Sequence, residues 1–230
     1  MFPALLLVAA ACHAGATRPA AASSSQAASS AGSWRPMISG TSLAGWHNAK
    51  TPGQPVVEWA IEDGVLTRTG EGGDLVTDQQ FTNFELSLEW RVSPKGNSGV
   101  IYRIDPASEV TYTSGPEMQI LDDDGHPDGR SPLTSAGSDY GLYPAPRGVV
   151  KPANEWNRAR LLVRGNHVEH WLNDVQVVSY ELGSADWAER VAKSKFAKWD
   201  GYGRAARGFI ALQDHGNRVS FRNIRIRELP

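Results

Sequence analysis

Fourteen residues, Gly115 to Asp128 (GPEMQILDDDGHPD), hold the densest set of side chains able to do acid–base or metal chemistry. Met118 and Ile120 alternate with Glu117 and Gln119. In a strand the two apolar side chains turn to a core, while a carboxylate and an amide share the opposite face, a platform suited to a sugar. Asp122, Asp123, Asp124, His126 and Asp128 follow in a turn marked by Gly125 and Pro127, where side chains can reach a ligand. Asp122, Asp124 and Asp128 with Gly125 are spaced like the start of a calcium loop, and His126 with a carboxylate could take a transition metal. A divalent ion is thus the one cofactor the sequence raises, although Leu133 stands where an EF-hand needs its last Glu. A solvated edge strand and an acidic turn would give the same letters.

Strand parity extends the set. Arg103 is opposite in parity to Val100, Tyr102 and Ile104, Gln213 is opposite to Ile210 and Leu212, and His215 follows two residues on. If these converge with Glu117 and Gln119, one site would hold a carboxylate, a guanidinium, amides and an imidazole, the mixture needed to move a proton and steady negative charge. The structural alternative is a cross-strand Arg103–Glu117 ion pair with His215 capping a turn.

The elements that must position these groups read with a period of two. Phe84, Leu86, Leu88, Trp90 and Val92 interleave with Glu85, Ser87, Glu89 and Arg91; residues 100–104, 158–163, 168–172, 175–180 and 209–213 repeat the pattern more briefly. Gly165-Asn166 and Asn173-Asp174 fall at hairpin turns, so the spacing predicts an antiparallel meander. One helical excursion is expected over 185–198, capped by Ser184 and stopped by Gly201 and Gly203. Many short strands with frequent Gly and Pro predict an all-β fold, a two-sheet sandwich or jelly roll. Among the eight Trp, Trp90 has core parity and Trp171 has exposed parity, which makes Trp171 a candidate sugar platform.

Residues 2–11 form an apolar run too short to span a bilayer, followed by Cys12, so residues 1–12 read as an export signal whose single cysteine excludes an internal disulfide. The thiol follows Ala9-Ala10-Ala11 as in a bacterial lipoprotein, so Cys12 is a candidate lipidation site. The expected location is the bacterial cell envelope, as a periplasmic or outer-membrane lipoprotein held to the membrane only through that lipid; secretion is the alternative. Residues 13–33 are an Ala/Ser-rich tether with almost nothing to bury, and 34–230 form one domain. With 23 basic against 25 acidic residues, nothing favours nucleic acid as a partner.

Six segments then stop being generic: WAIEDGVLTRTG (59–70), FELSLEWRVSPKGNSGVIYR (84–103), GPEMQILDDDGHPD (115–128), WNRARLLVRGNHVEHWLN (156–173), SKFAKW (194–199) and ALQDHGNRVSFRNIRI (211–226). In kind and order they resemble the 3-keto-disaccharide hydrolase domain family, over Trp34 to Leu229. The resemblance implies a concanavalin A-like sandwich and a substrate already oxidised at carbon 3 of a glucoside or disaccharide. A ketone there acidifies the carbon-2 proton. Its removal lets the enolate expel the aglycone, and water adds back to the enone. In that scheme His215 or Glu117 is the base, with the other as acid or partner, and Arg103 steadies the enolate. Asn97, Gln119, Gln213 and Asp122 hold the sugar, and Lys195 of SKF adds a second positive charge. A retaining glycosidase would need two carboxylates about 5 Å apart, and Gln119 stands where a second one would help. A non-catalytic lectin-like module and a conventional glycosidase remain the competing readings.

Overall fold

The computed structural model describes residues 32–230 together with Met1; the rest of the stretch read as an export signal, with Cys12, and the expected tether as far as residue 31 lie outside the described residues. In chain order the strands are β1 (Arg35–Pro36), β2 (Trp46–Asn48), β3 (Trp59–Glu62), β4 (Val65–Arg68), β5 (Leu75–Thr77), β6 (Phe84–Val92), β7 (Asn97–Ile104), β8 (Glu117–Leu121), β9 (Asn157–Arg164), β10 (His167–Leu172), β11 (Val175–Glu181), β12 (Phe209–Leu212) and β13 (Val219–Glu228), with the helix α1 (Ala185–Ala192) between β11 and β12. They build an eight-stranded sheet, ordered β11-β10-β9-β6-β13-β4-β3 with β1 beside β13, and a five-stranded sheet, ordered β2-β5-β12-β7-β8. The pairs are antiparallel throughout. This is the all-β sandwich expected from the period-two patterns.

The main core lies between the sheets. Every second residue of β6, from Phe84 to Val92, is at most 3% exposed and packs with Val100, Tyr102, Met118, Ile120, Val168 and Phe221. Each such side chain contributes about 1.5–3 kcal/mol. The opposite face of the larger sheet closes on itself. Glu85 accepts from Arg160 at 2.8 Å and from Arg227 at 2.6 Å, and Arg160 lies 4.0 Å over the Trp171 ring. Arg91 and Arg222 cover Trp156 in the same way. A cavity of about 920 Å³ beside Trp34 and Arg225 opens on this face and shares no residue with β8.

The smaller sheet carries a second apolar cluster on its outer face, Val76, Ile101, Ile104 and Ala211, with Phe209 packed against it. The free edge of β8 is covered by residues 137–140, where Gln119 N donates to Ser138 O (3.1 Å) and Tyr140 N to Glu117 O (3.0 Å).

The helical excursion is shorter than the 185–198 expected. α1 stops at Ala192, and Ser194 then caps a separate 3₁₀ turn, Lys195–Lys198, by accepting from Phe196 N at 3.1 Å. An aromatic stack, Tyr143–Tyr180–Trp187–Tyr202–Phe196, fastens both pieces to the sandwich, with centroids 4.2–6.0 Å apart.

Candidate active site

Register on the outer face of the five-stranded sheet brings the polar groups together. Glu117 stands opposite Ile101, Gln119 opposite Gly99, and Gln213 N donates to Gly99 O at 2.9 Å as β12 runs on. Gly99 makes room for the acid. A Cβ at that position would lie 2.2 Å from Glu117 Oε1, so only glycine lets the carboxyl lean across β7. Around it Asn97, Gln119 and Gln213 are 3%, 1% and 8% exposed, and the side-chain oxygen of each amide has no partner among the described residues. Leaving one such oxygen empty costs about 1–3 kcal/mol, a cost that ligand hydroxyls would remove.

Charge completes the picture. Burial, reinforced by the Asp74 carboxyl, lifts Glu117 to about 8, with Lys195 and Gln213 acting against the rise. At neutral pH the group is therefore a carboxylic acid, able to donate a proton. Asp74, just before β5, is also raised by burial; its Oδ1 accepts from Asp214 N at 2.8 Å and its Oδ2 from the Thr111 hydroxyl. Lys195 brings the positive charge, its Nζ 4.3 Å from the centre of the Tyr140 ring, while the Tyr140 hydroxyl donates to Asp128 at 3.2 Å. Burial lowers the Lys195 pKa, and the charges of Glu117 and Asp128 oppose that shift. On the segment that covers the edge of β8, Asp139 is fully buried, and burial raises its pKa well above its ordinary value.

Of the residues singled out in sequence, the structure therefore gathers Glu117, Gln119, Asn97, Gln213 and Lys195. Asp128 stands beside Lys195 through the Tyr140 hydroxyl, while the remaining residues are not brought to them as expected. Arg103 leaves the face because β7 bulges there, at φ 52°, so that Ile104 joins Ile101 on the outer side and the guanidinium turns to Gly165 O. No Arg103–Glu117 ion pair forms, and the guanidinium is directed away from Glu117. Trp171 is on the outer face of the other sheet, under Arg160. His215 is exposed in the loop after β12, two residues beyond Gln213, and makes no hydrogen bond to Glu117. Asp122 caps the β6–β7 turn instead of facing the site, accepting from Lys95 N at 2.7 Å. The candidate metal ligands Asp122, Asp124, His126 and Asp128 do not converge: His126 Nδ1 accepts from Asp128 N, and no group of three His, Cys, Asp or Glu that could hold an ion occurs among the described residues.

Asp74 and Tyr140 escaped the sequence reading. The first was legible, since its parity is opposite to Leu75 and Thr77, but a three-residue strand carries too little alternation to be seen.

Comparison with known proteins agrees with this architecture. Residues 33–227 match the 3-keto-alpha-glucoside-1,2-lyase-like domain. A 3-keto-disaccharide hydrolase of Bacteroides thetaiotaomicron is 36% identical over 228 residues, covering 84% of this chain and 77% of that protein. The crystal structure of a candidate glycosyl hydrolase from Parabacteroides distasonis superposes with a TM-score of 0.79 at 32% identity, over 86% of this chain and 94% of that one. The catalytic domain of an endo-1,3-beta-glucanase from Thermotoga petrophila shares the fold, with a TM-score of 0.53 at 12% identity over 86% of this chain and 99% of that one. The protein is an enzyme of the glycoside hydrolase kind, and it belongs to the family of 3-keto-alpha-glucoside-1,2-lyase-like domains.

Proposed function

We propose that the enzyme cleaves 3-keto-glucosides or 3-keto-disaccharides by eliminating the aglycone and hydrating the product. The observation that carries this reading is a recessed carboxyl, held protonated, among three amides whose oxygens lack partners. The amides would take the sugar hydroxyls. The base assigned to the carbon-2 proton is His215, which stands outside the gathered set, in the exposed loop two residues beyond Gln213, and would have to reach the sugar from there; the pair of electrons forms the enolate at oxygen 3, steadied by Lys195 in place of Arg103. When the ketone re-forms, the carbon 1–carbon 2 double bond forms and the carbon 1–oxygen bond breaks. Glu117 gives its proton to the departing oxygen. Water then adds across the enone.

Direct displacement fits less well. Its nucleophile must be ionised, whereas Glu117 holds a proton and burial raises the pKa of Asp74 as well. The same amides would serve a lectin, so the proton on Glu117 is what favours turnover. The test is Glu117→Gln, which preserves shape and removes the acid: a folded variant should lose at least about 100-fold in turnover of a 3-keto-glucoside. An unchanged rate would remove Glu117 from the mechanism. The proposal extends to place, with Cys12 lipidated and the domain held at the cell envelope.

A further inference from the structure

Arg103, turned away from the Glu117 site by the β7 bulge, lines a cavity elsewhere in the molecule. The residue is 3% exposed, its guanidinium has Gly165 O as acceptor, Nε has no partner, and no carboxylate among the described residues lies within ion-pair distance. A buried charge without a counter-ion is costly, and the left-handed backbone that aims it at φ 52° adds strain in a non-glycine residue. Burial accordingly pulls its pKa below the usual arginine value.

Arg103 forms part of the wall of a cavity of about 660 Å³ between α1, the Lys195–Lys198 turn and residues 199–206. Trp187, Val191 and Trp199 supply apolar and aromatic wall, and Arg204 and Asp200 also line it, so its charged side chains sum to positive. The volume suits a small molecule. A planar guanidinium pairs best with a carboxylate, and aromatic walls suit a ring.

We propose that this cavity is a second ligand site, taking a small carboxylate carried on an aromatic body, with Arg103 as its counter-ion. The site is separate from the Glu117 cleft and does not depend on the reaction assigned there.

Calorimetric titration of the whole protein with 3-phenylpropionate and, as the uncharged match, 3-phenylpropionamide tests this. The carboxylate should bind at least about 10-fold more tightly, the scale of one charge-assisted pair. Arg103→Gln should erase that preference. Because this variant could disturb the bulge, Ala188→Trp, which fills the cavity from α1 and leaves Arg103 intact, should abolish binding of both probes. Glu117→Gln should bind the carboxylate as the wild type does. Failure of the folded wild type to bind the carboxylate, equal affinity for the two probes, full binding by Ala188→Trp, or loss of binding in Glu117→Gln would each overturn the proposal.

Discussion

Burial and the Asp74 carboxyl lift Glu117 to about 8, from an ordinary 4.5, so in that interval the folded protein holds a proton that the unfolded chain has released. The sign follows. The contribution of this group to stability is complete below the unfolded value and is lost as pH rises through about 8. Urea unfolding at about pH 5 and about pH 9 should show wild type losing a few kcal/mol that Glu117→Gln keeps. A loss of equal size in both proteins would place the titration elsewhere. Catalysis should follow the same group: if Glu117 is the acid, turnover falls as pH rises through about 8. The two proton-transfer roles also separate. His215→Ala should lose exchange of the carbon-2 proton with solvent, whereas Glu117→Gln should keep exchange and lose aglycone release. NMR of the 3-keto-glucoside in heavy water distinguishes them.

At the level of elements, the cleft depends on ties between loops. The Asp214 carboxylate accepts from Gly73 N at 3.1 Å and Gly216 N at 2.9 Å and pairs with Arg68, both side chains being under 10% exposed, while Asp214 N holds Asp74. Asp214→Ala should therefore destabilise the protein by about 3–5 kcal/mol in urea unfolding, because Arg68 is left buried without a counter-charge, with the Gly216 carbonyl as its remaining acceptor. A cost below about 1 kcal/mol would mean the tie is dispensable. The strands from β6 to β12 were legible in the sequence, whereas the short β1–β5 and the long β13 were not singled out. β6 coincides with its alternation from Phe84 to Val92, and Glu117 and Gln119 share the face that parity gave them. Two things were not legible. A bulge resets parity without leaving a mark in residue type, which is how Arg103 and Ile104 came to exchange sides. Alternation also says whether a side chain points into the sandwich or out of it, but not on which sheet. Trp171 does point outward, as its parity said, yet from the larger sheet and not from the one that carries Glu117.

Across the whole molecule the two outer faces have different work. The larger sheet covers its tryptophans with its own arginines and spends its carboxylates on ion pairs, as at Glu85. The smaller sheet leaves amide oxygens unpaired around an acid. The proposed envelope attachment rests on Cys12: metabolic labelling with an alkyne fatty acid should mark wild type and not Cys12→Ser, and an unlabelled wild type would mean a product without a lipid anchor. The central claim, a proton-donating carboxyl driving elimination from an oxidised sugar, is tested most directly by incubating the purified enzyme in heavy water with a matched glucoside and 3-keto-glucoside. The account expects aglycone release from the keto sugar alone, with solvent deuterium at carbon 2 of the product. Equal cleavage of the unoxidised glucoside, with carbon 2 keeping its original proton, would contradict it.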